Sequence, residues 1–195
     1  MSSMITRPVD TSMSRRGILT AGGKATLSAA AIALLAGCES MATAQPSLAA
    51  TASNDVGILN TALGLEYQAI AAYQVGAESG LLQKPVLDVA VQFQGDHKKH
   101  AEVLSSTITK LGGQPVTAKS NYGFPVNTLK TQADVLRFAA SLEQGAASAY
   151  LGAVPAFTNR DLAKAAASIL GDETMHWAIL RSALGENPVP SAFIA

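Results

Sequence analysis

A carboxylate and an imidazole occupy a stripe that a helix would otherwise fill with apolar side chains. In the stretch Gly171-Asp-Glu-Thr-Met-His-Trp-Ala-Ile-Leu180, Glu173 and His176 lie three residues apart. On a helix, both therefore project from one face. The positions around them run Leu162, Ala166, Ile169, then Glu173 and His176, then Leu180 and Ala183. That is a heptad-like seam with two polar members. Each such group costs several kcal/mol in a helix-packing seam unless it is paired, neutralised or bound to metal. The seam requires compensating partners.

The rest of the chain supplies them by repetition. Gly95-Asp-His-Lys-Lys-His-Ala-Glu-Val-Leu104 mirrors Gly171 to Leu180, with His97 at the place of Glu173 and His100 at that of His176. Its seam runs Ala90, Phe93, His97, His100, Leu104, Ile108, Leu111. A second matched pair lies upstream. Leu59, Ala62, Leu65, Glu66, Ala69, Ala72 and Tyr73 align with Leu136, Ala139, Leu142, Glu143, Ala146, Ala149 and Tyr150. Each Glu again sits in the apolar stripe, with Leu seven residues before and Tyr seven after. Glu66 precedes His97 by 31 positions and Glu143 precedes Glu173 by 30. The chain carries an internally duplicated helix pair.

Punctuation residues set the expected boundaries. The first helix should run from about Asn54 to Glu78, before Ser79-Gly80. The second should run from near Pro85 to Gly112-Gly113. Residues 114–130 hold Pro115, Gly123 and Pro125 and no helical period, and read as a long connection. The third helix should run from about Thr131 to Ala153, and the fourth from Asn159-Arg160-Asp161 to Gly185. Short, long, short connections predict an all-α fold: a four-helix up-down bundle with one long crossover, over residues 54–195. The tail, Glu186 to Ala195, is too short for a fifth bundle helix.

Residues 1–38 read differently. Ser14-Arg15-Arg16-Gly17-Ile18-Leu19 looks like a twin-arginine export signal, followed by an Ala-rich run from Thr26 to Ala36. That run falls short of the roughly 20 apolar residues a membrane span needs. It ends in Leu35-Ala36-Gly37-Cys38, which resembles a bacterial lipobox with Cys38 as the lipid-bearing residue. A soluble leader cut after Ala44 or near Ala50 is the competing reading. Either predicts export to the periplasm, the first with a membrane tether. Residues 39–53 read as a flexible tether.

Cys38 is the only cysteine, so neither an intrachain disulfide nor a cysteine metal site is available. The leader contributes four of the chain's 14 basic residues and one of its 14 acidic ones, leaving the remainder with a net charge of −3. No basic patch or aromatic-interleaved run points to nucleic acid.

In a bundle, the six marked residues meet near mid-helix. Glu66 and Glu143 supply one carboxylate each; His97/His100 and Glu173/His176 supply two ligands each. This matches the known template for carboxylate-bridged dinuclear centres, one Glu from each of two helices and Glu-x-x-His from the other two. Bridging carboxylates offset the repulsion between two divalent cations, and imidazoles fill terminal positions. Asp96 and Asp172, four residues before His100 and His176, could hold the imidazole tautomers or stand as exposed helix acids. Tyr73 and Tyr150 read as core with satisfied hydroxyls, Trp177 as packing, and Lys98-Lys99 as a solvated face.

From about Asp55 to Leu184 the chain resembles the ferritin-like superfamily, in particular an exported bacterial group related to desiccation-associated proteins. The resemblance implies two irons, or two manganese ions, and ferroxidase, oxygenase or peroxide chemistry. Glu66, His100, Glu143, Glu173 and His176 match family ligand positions. His97 departs from the family pattern, which has a bridging Glu there. With three carboxylates and three imidazoles, an asymmetric pair, a single metal, or zinc, manganese or copper in place of iron become alternatives. At His97, a ligand and a core hydrogen-bonding histidine both fit. Three functions follow: a di-metal oxidase or peroxide scavenger, a metal-binding protein without turnover, or a structural, stress-related bundle. An Ala-rich helix face also admits a homodimer.

Overall fold

The computed structural model describes residues 48–194, which form four long helices and, among the described residues, no strand. They are α1 (Leu48–Glu78), α2 (Lys84–Lys110), α3 (Gln132–Ala153) and α4 (Arg160–Ala183), with short 3-10 turns at Val126–Thr128 and Val154–Ala156. The expected leader and most of the expected tether lie outside the described residues. α1 begins at Leu48, ahead of the Asn54 expected. Leu48-Ala49-Ala50-Thr51-Ala52-Ser53 contains no Gly or Pro, and Ala is the strongest helix former, so helix continues back through it. Among the described residues, no helix is long and apolar enough to cross a membrane.

The other boundaries follow local chemistry. Thr131 caps α3: its hydroxyl accepts from the Asp134 N–H while the Asp134 carboxylate accepts from the Thr131 N–H, a reciprocal capping box. Asn159 caps α4 by accepting from the Asp161 and Leu162 N–H groups. At the ends of α2 and α4, Gly112 and Gly185 adopt φ of 80° and 74°. This left-handed turn lets the next amide reach back five residues, Gly113 N–H to Ile108 O and Glu186 N–H to Arg181 O, both at 2.9 Å.

Polar contacts between helix ends fix the topology. The Asn60 side chain, near the start of α1, donates to Gln114 O and accepts from Val116 N–H just past α2. Asp55, also near the start of α1 and 4% exposed, accepts from the Thr158 and Asn159 N–H groups ahead of α4. At the opposite end, the Gln83 N–H before α2 donates to Gln132 in the first turn of α3. So α1 and α4 start at one end and α2 and α3 at the other, and residues 111–131 traverse the length of the bundle. α1 packs chiefly on α2, and α3 on α4, which keeps the duplicated pairs as structural pairs.

The core divides into two apolar clusters. One contains Leu63, Leu104, Ile108, Tyr150 and Ile169; the other contains Tyr73, Phe93, Leu136, Trp177 and Leu180. The polar seam residues of all four helices lie between them. We predict that Asp55→Ala costs about 2 kcal/mol, because a buried charged acceptor that ties two elements together is removed. Denaturant melts would show it as a lower midpoint with an unchanged slope.

Candidate metal centre

Each of the six seam residues reaches the middle of the bundle. Glu66 comes from α1, His97 and His100 from α2, Glu143 from α3, Glu173 and His176 from α4. Glu66, His97, Glu143, Glu173 and His176 are at most 2% exposed. Burying such a set is affordable only because helical pitch aims every member at the others.

The cluster forms two overlapping halves. Glu66, His97, His100 and Glu173 offer ligand atoms within 4.8 Å of one another, and so do His97, Glu143, Glu173 and His176. In the first half, His100 Nδ1 lies 3.3 Å from Glu173 Oε1 and 3.5 Å from Glu66 Oε2. In the second, His176 Nδ1 lies 3.6 Å from Glu143 Oε1. His97 stands between them, with Nδ1 2.9 Å from Glu66 Oε2 and Nε2 3.2 Å from Glu143 Oε1.

The fit of this set to metal rests on unpartnered atoms. His100 Nδ1, His176 Nδ1 and both oxygens of Glu173 are buried without a hydrogen bond. Native interiors seldom leave such atoms unsatisfied. Here the four are the ligand atoms that two adjacent cations would use, with Glu173 between two terminal imidazoles. The residues present fit a dinuclear centre.

Electrostatics agree. Burial opposes charge on His97, but its hydrogen bonds to Glu143 and Glu66 outweigh that and raise the ring to about 10. His100 rises to about 9 against its own desolvation, because the Glu173 and Glu66 carboxylates flank it. Glu143 resists burial through His176 and His97, and Glu66 through His100 and His97; both are held below the ordinary carboxylate range. Glu173, with the most buried position and two anionic neighbours, is pushed up by burial to about 8.

Two tyrosines cross-link the halves. The Tyr150 hydroxyl of α3 donates to Glu66 of α1 at 2.5 Å, and the Tyr73 hydroxyl of α1 donates to Glu143 of α3. The duplication therefore appears as a pseudo-two-fold exchange of carboxylate and tyrosine. The satisfied hydroxyls expected from the sequence are present, and their acceptors are two of the cluster carboxylates. Burial raises both phenols well above their usual range, which keeps them as donors.

The outer nitrogens meet the aspartates. Asp172 Oδ2 lies 3.3 Å from His100 Nε2 and 3.5 Å from His176 Nε2, so one carboxylate serves both imidazoles. Proton placement on Nε2 leaves each Nδ1 facing the cluster. Asp96 bonds Lys99 at 2.8 Å and approaches His176 across the helix pair at 3.8 Å. Lys98 and Lys99 are exposed, as expected. Trp177 packs in the core with Arg181 over its ring. We predict that Asp172→Asn weakens metal binding about 10- to 100-fold, measured by competition with a chelator, without lowering the metal-free melting temperature.

Access is one-sided. His100 is 16% exposed and opens to a groove of about 640 Å³ lined by Lys99, Val103, Ser168, Asp172 and Met175. On the other side Phe93 stacks on His176 at 3.9 Å and closes it off. The duplicate of Phe93 is Ile169, so the repeat breaks its symmetry at this position too. Behind Tyr73 lies an apolar cavity of about 150 Å³ bordered by Ala72, Gly76, Leu136, Ala139 and Leu180. Its lining gave no motif to read in sequence.

The family model of the ferritin-like domain matches residues 54–186. The chain belongs to this family. The bundle is similar to a conserved hypothetical protein from Mycobacterium tuberculosis, at 22% identity and TM-score 0.64, covering 73% of this chain and 99% of that one. It is similar to a ferritin-like diiron-carboxylate protein from Bacillus anthracis at 22% identity and TM-score 0.60, covering 69% and 97%. It is also similar to the Desulfovibrio desulfuricans bacterioferritin, a protein with a diiron site, at 20% identity and TM-score 0.61, covering 69% and 80%. No curated protein matches the chain. At these identities the structural likeness concerns the fold; the ferritin-like bundle expected from the sequence is the fold observed.

Proposed function

We propose that this ferritin-like protein is exported and holds two metal ions, iron first, with manganese, zinc or copper as alternatives. Its chemistry would be oxygen or peroxide reduction, or iron oxidation. The observation that carries the reading is the convergence of four buried, unpartnered ligand atoms, His100 Nδ1, His176 Nδ1 and both Glu173 oxygens. Glu66 with His100, and Glu143 with His176, would hold one ion each, and Glu173 would join them. Such a pair supplies a change of oxidation state and an open position for an oxygen species. The chain's own residues do the rest. Tyr150 and Tyr73 orient Glu66 and Glu143, Asp172 sets the imidazole tautomers, Phe93 excludes water, and the groove beside His100 admits small reactants.

Export is supported by Arg15-Arg16 and by the Leu35-Ala36-Gly37-Cys38 sequence. We place the protein in the periplasm, anchored through lipidated Cys38 or released by cleavage nearer Ala44; the mass of the mature N-terminus separates the two. The functional test offers Fe(II) anaerobically to the full chain, then admits oxygen or peroxide. Retention of two irons and consumption of the oxidant support the reading. Retained metal without consumption would favour a metal-binding protein without turnover. No retained metal would leave the structural bundle.

A further inference from the structure

We infer that His97 is a bridging ligand, its two ring nitrogens binding one metal each, in place of the second bridging carboxylate. This rests on the two-metal reading above. Only two residues belong to both four-residue halves of the cluster, Glu173 and His97. Each has two ligand atoms. Glu173 presents two unpartnered oxygens. His97 presents its nitrogens to opposite halves, Nδ1 2.9 Å from Glu66 Oε2 and Nε2 3.2 Å from Glu143 Oε1. The ring is 1% exposed and has no place to swing away.

Charge balance points the same way. The carboxylate-rich template brings four Glu residues to two divalent ions, four negative charges against four positive. This cluster has three, Glu66, Glu143 and Glu173. A site this buried tolerates a net charge poorly. For each ring nitrogen to give its lone pair to one ion, the ring must carry no N–H, and its proton passes to water. The resulting imidazolate carries the fourth negative charge. Imidazole donors suit copper, zinc and iron alike. His in place of Glu would thus leave the total charge of the centre intact.

The test uses the full chain loaded with two Cu(II) per chain, verified by elemental analysis, and read by electron paramagnetic resonance at liquid-helium temperature. A ring bridge couples the two unpaired spins, so most of the isolated-copper signal disappears. A chain loaded with one copper and one zinc keeps the signal of its single copper. In His97→Gln with two coppers bound, the coupling changes to whatever Glu173 alone transmits. Should that variant fail to fold, His97→Glu, which restores the fourth carboxylate, must give a coupling different from the wild type. Two bound coppers with a full uncoupled signal in the wild type would overturn the bridge while leaving the two-metal reading standing. Coupling unchanged in His97→Gln or His97→Glu would assign it to Glu173 and likewise overturn the bridge. Failure of the wild type to retain two metals would overturn both.

Discussion

Glu173→Ala is expected to empty the centre. Glu173 is 0% exposed, lies within 4 Å of both His97 and His100, and belongs to both halves of the cluster. Removing an outer hydrogen-bond partner of a metal ligand already costs 10- to 100-fold in affinity, so loss of the shared carboxylate should exceed about 100-fold. Metal per chain should fall from two to less than one after passage through a desalting column. The metal-free protein should respond quite differently. Its Glu173 is an unsatisfied acid pushed up to about 8 by burial. Deleting it relieves that group while leaving a small cavity, and the two effects oppose each other. Metal affinity should therefore collapse while the metal-free melting temperature changes little. A large fall in both would mean that Glu173 serves packing rather than binding.

His97→Ala should do the reverse in the metal-free state. His97 pairs with Glu66 and Glu143 at 2.9 and 3.2 Å, all three essentially buried. Removing one partner of a buried ion pair leaves uncompensated charge and costs about 3–5 kcal/mol. For a chain this size that is a melting-temperature drop of about 10 °C.

The effect carries a sign in pH. His97 is raised to about 10 and His100 to about 9 from an ordinary 6.5. Their contribution is complete below 6.5 and is lost as pH rises through those values. Glu173, raised from 4.5 to about 8, loses its contribution as pH rises across that interval. Glu66 and Glu143, depressed, contribute above 4.5 and lose that contribution in acid. Metal-free protein should thus be most stable at about pH 4.5, declining slowly to about pH 6.5 as Glu173 loses its contribution and more steeply above it. Melts in chelator at pH 6 and pH 10 should show a wide gap between wild type and His97→Ala at the first and a narrow one at the second. Equal melting temperatures at pH 6 would contradict the pairing.

Much of this centre is readable in the one-dimensional pattern because helical periodicity reports which side chains turn inward. Glu66, His97, Glu143, Glu173 and His176 interrupt apolar stripes, and the duplication supplies their registry. Gly112, Asn159 and Gly185 mark helix ends for reasons local to the backbone. Periodicity does not report what a side chain meets on the facing helix. The exchange of Tyr73 to Glu143 and Tyr150 to Glu66 depends on the offset between α1 and α3, which no residue spacing encodes. The double service of Asp172 depends on the α2–α4 crossing in the same way. Asp55 and Asn60 look like ordinary polar positions in α1 until the chain ends they hold are folded against them. The early start of α1 is a propensity effect that composition leaves ambiguous, because Ala, Ser and Thr also compose linkers.

The most direct test of the account is the number of metal ions held by the full chain. Metal-free protein titrated anaerobically with Fe(II), with bound and free metal separated and counted, should saturate at two ions per chain. A variant carrying Glu66→Ala and Glu143→Ala together should bind neither tightly. Saturation at one ion, or no retained ion at all, would contradict a dinuclear centre built from these six residues.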